Sequence, residues 1–230
     1  IKGLILNMFH YFWPSLLKFN FVVSMVTPII KATKGSETKS FYTDSAFRSW
    51  YGNGKSGWKI KYYKGLGTST SAEAREYFKK IQDLTVKFDM DAMTDESIIL
   101  AFDKKKADAR KTWLLESTAK ETGELEVPYG NVTQLAITDF VHKDLVNFSL
   151  ADLKRSIAHV ADGLKPSQRK VMYSCFHKNL RDEMKVAQLA AYVAEKSAYH
   201  HGEVSLAETI VKLANDYTGS NNINLLEPCG

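Results

Sequence analysis

Asp162-Gly163-Leu164-Lys165-Pro166-Ser167-Gln168-Arg169-Lys170-Val171 joins a turn, a helix start and a cationic helix face within ten residues. Asp-Gly is a turn dipeptide, and Pro166 suits the first helical position, where its missing N–H costs nothing. From Pro166 the spacing predicts a helix to about Asn179, with Val171, Met172, Cys175 and Phe176 as its apolar stripe. Lys165, Arg169 and Lys170 then gather at or near a helix start, where free backbone N–H groups already favour anions. A phosphate backbone fits that arrangement. A solvated basic helix face accounts for the same residues taken alone.

Downstream, residues 185–197 and 205–217 read as two amphipathic helices. They flank the short connection Ala198-Tyr199-His200-His201-Gly202-Glu203-Val204, which is the pattern of a helix-turn-helix unit. Tyr199, His200, His201 and Ser205 are competent phosphate partners in such a frame. Satisfied turn histidines are the structural alternative. A metal site is disfavoured, because adjacent histidines diverge and no third ligand stands at zinc spacing.

Upstream, residues 1–20 read as a helix broken or kinked at Pro14, and 22–33 as a buried strand containing Pro28. Phe41-Tyr42-Thr43 and Trp58–Tyr63 are strand candidates, and 71–84 a helix. Residues 95–115 form a second helical region, in which Arg110 and Lys111 close a strongly basic stretch. There, cations complement the helix dipole, a sufficient structural explanation by itself. The segment Lys61-Tyr62-Tyr63-Lys64-Gly65-Leu66-Gly67-Thr68 ends a strand and makes a glycine turn, but lacks the GxxxxGK[ST] pattern of a P-loop. Asp89-Met90-Asp91 reads as solvated loop rather than a magnesium site. Residues 116–136 are acidic and polar and suit a linker, 137–147 is helical, and 148–166 is rich in turns.

The 230 residues carry a formal net charge of +5, unevenly placed. Residues 1–111 hold 19 Lys/Arg against 11 Asp/Glu, 112–138 hold 1 against 4, and 139–230 hold 11 of each. That profile permits a nucleic-acid partner without demanding one. Two cysteines far apart exclude a disulfide framework and a CxxC metal site, which favours a reducing compartment. No apolar run reaches the roughly 18 residues of a membrane span, and no signal peptide is expected. The absent initiator Met and the abrupt apolar start suggest an internal piece of a longer protein.

The segments IKGLILNMFHYFWPSLL, KYYKGLGTSTSAEAREYF, DARKTWL, DGLKPSQRKV, EMKVAQLAAYVAE, AYHHGEVSLAETI and GSNNINLLEPCG occur here in one order. Each resembles the corresponding segment of the eukaryotic-type DNA topoisomerase II family, the ATP-dependent type IIA enzymes. The likeness covers 1–230 and is weaker at 34–57, 85–97 and 116–136. Bacterial gyrase and topoisomerase IV share the YKGLG and DGLKP themes but divide the region between two subunits.

The resemblance implies an α+β, α/β multidomain fragment. Residues 1–111 resemble the later part of the TOPRIM α/β domain and the helices after it, and 112–138 a linker. Residues 139–230 resemble the first part of a helix-rich, truncated winged-helix (helix-turn-helix) domain. It further implies double-stranded DNA as partner, a homodimer, a nuclear location and no membrane. Mg2+ and ATP serve the parent enzyme, none being held by residues within this fragment. The family passes one duplex through a transient double-strand break in another, by way of a 5′-phosphotyrosyl link. Arg110, Lys111, Lys165, Tyr199 and Ser205 match family positions that contact the gate DNA. Gln168, Arg169, Lys170, His200 and His201 are further candidates. The family's acidic Asp-x-Asp-x-Asp-Gly-Ser-His run is expected just before Ile1, and its nucleophilic Tyr, preceded by Arg, beyond Gly230. None of the eleven tyrosines here follows an arginine. The fragment alone is therefore expected to be inactive. The rival reading is a non-enzymatic DNA-binding module that kept the winged-helix surface and lost the catalytic residues.

Overall fold

The fold is taken from a computed structural model that describes residues 1–52, 56–63, 68–118, 127, 129–130, 132–199, 201–219 and 221–229. The chain forms two compact units, Ile1–Leu150 and Ala151–Gly230.

In the first unit, α1 (Lys2–Phe12) stops at Trp13, and Pro14 opens the short α2 (Pro14–Leu17). Proline starts a helix as readily as it ends one, since the first turn needs no N–H from it. The strand expected over 22–33 is two strands in different sheets, β1 (Val23–Met25) and β2 (Ile30–Lys34). Pro28 lies between them and has no N–H to donate to a continuous ladder. β3 (Glu37–Phe41) and β4 (Lys59–Tyr62) flank β2 in an antiparallel sheet ordered β3-β2-β4. Between them stands α3 (Asp44–Tyr51), which the residue pattern did not announce. The Thr43 side chain caps it by accepting from the Ala46 N–H at 3.2 Å, and Phe47 stacks on Tyr51 at 5.3 Å.

α4 (Ser71–Lys79) starts on a capping box. Thr70 N–H donates to Glu73 Oε2 at 2.8 Å, and Glu73 N–H donates to Thr70 Oγ1 at 3.3 Å. The helix ends at Lys80, short of the expected Leu84, because the chain must turn into β5 (Thr85–Asp89). β5 is the centre of a second sheet ordered β1-β5-β6, antiparallel to β1 and parallel to β6 (Gln134–Ala136).

The single helical region expected over 95–115 is divided. α5 (Thr94–Phe102) is followed by a 3-10 turn, Lys104–Lys106, and by α6 (Ala107–Thr118). The 116–136 stretch is not wholly a solvated linker. Ser117, Val127 and Leu135 are buried, and Leu135 sits in the sheet. α7 (Ile137–Asp139), a π-helical segment (Phe140–Leu145) and α8 (Val146–Ser156) then run without a break. Helix therefore persists well into the stretch expected to be turn-rich. Asp91 is not idle loop either: its Oδ1 accepts from Thr138 Oγ1 at 2.6 Å, Thr94 Oγ1 at 2.9 Å and Met93 N–H at 3.0 Å.

The main core cluster of this unit includes Leu6, Leu17, Val86, Phe88, Ile98, Trp113, Leu135, Ile137, Phe140 and Val146. Phe88 and Phe140 meet edge to face at 5.4 Å. Each such side chain contributes about 1.5–3 kcal/mol by burial. Residues on both sides of 138/139 share this core, and the compact units meet at 150/151.

The second unit is a three-helix assembly of α9 (Pro166–Lys178), α10 (Val186–Lys196) and α11 (Glu203–Ala214). Val171 and Cys175 of α9, Leu189, Ala190 and Val193 of α10, and Leu206, Ile210 and Leu213 of α11 form its core. Met172 and Phe176, assigned to the apolar stripe by spacing, do not join them; Phe176 is exposed. α9 ends on Asn179 in the left-handed region, at φ 49°.

Candidate nucleic-acid interface

The Asp162–Lys170 corner is a self-braced turn. Gly163 takes φ +68°, and the Asp162 carboxylate accepts from the Leu164 N–H at 2.9 Å. The same carboxylate takes a two-pronged ion pair from Arg169, with Nε to Oδ2 at 2.5 Å and Nη2 to Oδ1 at 2.8 Å. Arg169 Nη2 also donates to the Leu164 carbonyl at 3.0 Å. The Arg169 guanidinium holds the Asp162 carboxyl well below the usual carboxylate range, helped by the Leu164 N–H. Lys165 is the residue before α9 and is exposed; its N–H donates to Gln168 Oε1 at 2.8 Å. Gln168 thus caps the helix with its carbonyl oxygen and leaves its NH2 to point elsewhere. Of the expected contact residues here, Lys165 presents its charge to solvent, whereas Arg169 is already engaged.

Lys170 reaches to the turn that follows α10. Its ammonium donates to the carbonyls of Ser197 (2.7 Å) and Ala198 (3.2 Å) and lies 6.0 Å from the Tyr199 ring centroid. A cation at these carbonyls answers the negative end of α10. Ala198 sits at φ +46°, reversing the chain. Tyr199 packs against the second core and meets the His201 ring edge-on at 5.4 Å. Lys170, Tyr199 and His201 are therefore brought together, while His200 lies outside the described residues. Ser205 is exposed in the first turn of α11, the helix that Gly202 precedes.

In the first unit, Arg110 and Lys111 part company. Arg110 is half-buried, and its Nη1 donates to the carbonyls of Leu100 (2.9 Å) and Asp103 (2.8 Å), which end α5. Lys111 is exposed and pairs with Asp108 at 2.8 Å, which raises its pKa. Position in the sequence gives Arg110 a dipole role at the end of its own helix; instead it serves the carbonyls of the helix before.

The glycine turn Lys64–Gly67 lies outside the described residues, but its flanks are ordered by Glu73. This side chain lies 3.0 Å from Lys61 Nζ and 3.6 Å from Lys31 Nζ, and it accepts from the Tyr63 hydroxyl. Burial opposes its charge, yet the Thr70, Tyr63 and Lys61 hydrogen bonds outweigh that and hold its pKa down to about 2. Lys31 is itself buried and lies 4.7 Å from the Tyr77 ring centroid. The sequence signal for Glu73 is the T-S-A-E capping pattern, which by itself marks only a helix start.

Among the described residues no group of three or more His, Cys, Asp or Glu side chains is placed to hold a metal ion. Among them, too, no helix is long and apolar enough to cross a membrane.

Two family models match this chain. The C-terminal associated domain of TOPRIM covers residues 25–153, and the A-type subunit of DNA gyrase/topoisomerase IV covers 155–230. Curated relatives include the probable DNA topoisomerase 2 of Dictyostelium discoideum and DNA topoisomerase 2 of Drosophila melanogaster, each 50% identical across the whole chain. The human DNA topoisomerase 2-alpha is 46% identical, again across the whole chain. The chain spans about 15–17% of the length of these relatives. Among solved structures, the DNA-binding, cleavage and re-ligation domain of Plasmodium falciparum topoisomerase II matches all of the chain with TM-score 0.79 and 49% identity. The chain covers 31% of that structure. With one half matching the TOPRIM-associated domain and the other the gyrase A-type domain, at this identity throughout, the chain belongs to the type II DNA topoisomerase family.

Proposed function

We propose that these residues form part of the gate-DNA surface in the breakage-reunion core of an ATP-dependent type II DNA topoisomerase. The single observation that carries this reading is identity near 50% along the entire chain to proteins named DNA topoisomerase 2. The parent passes one duplex through a transient double-strand break in another, with a tyrosine joined to the 5′ phosphate, and so relaxes and decatenates DNA. It acts as a nuclear homodimer. Mg2+ and ATP belong to the parent's reaction.

The work of this chain is binding and positioning. Lys165 places an exposed cation at the N-terminus of α9, where backbone N–H groups of the first turn add to its field. Arg169, locked to Asp162, presents the remaining edge of its guanidinium in a fixed direction. Tyr199, steadied by Lys170, and Ser205 at the start of α11 supply neutral donors to backbone oxygens. Arg110 and Lys111 add cationic contacts from the first unit. None of the chain's tyrosines follows an arginine, so these residues by themselves bind and do not cleave.

The test is Lys165→Ala, with duplex affinity measured against salt. Loss of one phosphate contact flattens the slope of log K against log salt by about 0.9 and weakens binding on all sequences alike. An unchanged slope removes Lys165 from the interface.

A further inference from the structure

We propose that Lys104, Lys105 and Lys106 form an additional phosphate-binding edge for duplex DNA on the first unit, and that Arg110 positions it. This rests on the reading of DNA as the partner. The three lysines occupy a 3-10 turn between α5 and α6, and all three are exposed. Among the described residues none has a carboxylate within ion-pair distance, whereas nearby Lys111 is paired with Asp108. Three uncompensated cations in consecutive positions repel one another, a cost that a bound polyanion relieves.

The turn is braced rather than loose. Asp103 Oδ1 accepts from the Lys105 N–H at 2.8 Å, and the Lys106 N–H donates to the Asp103 carbonyl at 3.1 Å. Arg110 Nη1 then ties that same carbonyl to the Leu100 carbonyl. The backbone beneath the lysines is thereby held from α6. A guanidinium that points inward at two carbonyls fixes the backbone that carries them. Three residues per turn spread successive side chains about 120° apart, so a duplex crossing the turn meets two of them at once.

The experiment measures affinity for a mixed-sequence duplex against salt, using the full 230-residue chain. The triple variant K104Q/K105Q/K106Q is expected to melt as the wild type does and to lose about 1.8 from the salt slope, two phosphates' worth. A slope kept within about 0.5 of wild type, on the scale of about 0.9 per phosphate, overturns the edge alone. A wild-type chain with no salt-dependent binding overturns the DNA reading itself, and the edge with it. Should the triple variant melt early, the three single Lys→Gln variants decide by the same titration.

Arg110→Ala separates positioning from contact. In a positioning role, amide exchange at Lys105 and Lys106 speeds up in the DNA-free protein, and the slope falls by more than about 0.9. Unchanged exchange with a loss of about 0.9 makes Arg110 a contact only and overturns its positioning role.

Discussion

Glu73 and Lys61 meet at 3.0 Å across the corner between β4 and α4, and the same carboxylate closes the capping box of Thr70. One side chain thus ends a strand, starts a helix and neutralises charge on two lysines, with Lys31 at 3.6 Å as the second. Lys61 and Tyr63 on one side of residues 64–67, and Thr70 on the other, are thus held by one carboxylate.

Glu73→Ala is expected to lower the stability of the first unit by about 1–3 kcal/mol at pH 7, the loss of a charged acceptor. The folded carboxyl titrates near 2, below its ordinary 4.5, so unfolding takes up a proton as pH falls. The contribution is complete above pH 4.5 and disappears as pH drops through 2. Melting curves of wild type and variant should converge over that window. A gap that stays constant from pH 7 to pH 3 would show that packing, not charge, is at work.

Two glycines at positive φ separate backbone strain from collision. At Gly163, φ +68°, an added Cβ meets nothing within 4 Å, so Gly163→Ala should cost only the left-handed penalty of about 1 kcal/mol. At Gly130, φ +97°, the Cβ would lie 2.5 Å from the Tyr42 ring, and Gly130→Ala should cost about 2–4 kcal/mol. Urea titration of both variants checks the order. Equal losses would remove the collision with Tyr42 as a cause.

Ala198→Gly is expected to stabilise the second unit by about 0.5–1 kcal/mol, because Ala198 holds φ +46°, which glycine adopts without penalty. Lys170→Met should do the opposite, by about 1 kcal/mol, through loss of its bonds to the Ser197 and Ala198 carbonyls. If Lys170→Met leaves the melting temperature unchanged, the lysine contributes nothing to the turn, and its charge is available for DNA alone.

Asp162→Asn should raise duplex affinity at low salt and leave the helix start intact. The substitution removes a negative charge beside Lys165 and frees Arg169, while its carbonyl oxygen can still accept from the Leu164 N–H. A fall in affinity, measured by fluorescence anisotropy, would mean instead that the fixed direction of Arg169 matters more than its freedom.

Local chemistry was readable from the residues. Pro166 opens α9 as its fixed φ requires, Pro14 breaks the first helix and opens a short second one, and Gly202 stands immediately before α11. The motif order also named the family, since several segments in one sequence are far more specific than any one alone. Less was legible where partners lie far away. β5 and β6 were missed because Val86, Phe88 and Leu135 are strand residues only once paired, Phe88 with Leu135 in parallel.

What the sequence by itself determined were the short-range terms: φ at proline, caps at threonine, helical periodicity and the run of lysines from 104 to 106. What only the tertiary structure decided was the use of each charge. Nothing near Arg110 in sequence announces that its guanidinium serves Leu100 and Asp103, nor near Arg169 that Asp162 occupies it. Nor does any local pattern show that Lys170 is committed to the end of α10 while Lys165 stays exposed. Spacing sets which face of a helix a cation takes. Which carbonyl or carboxylate stands within about 3 Å of it depends on how the chain returns, and therefore on packing.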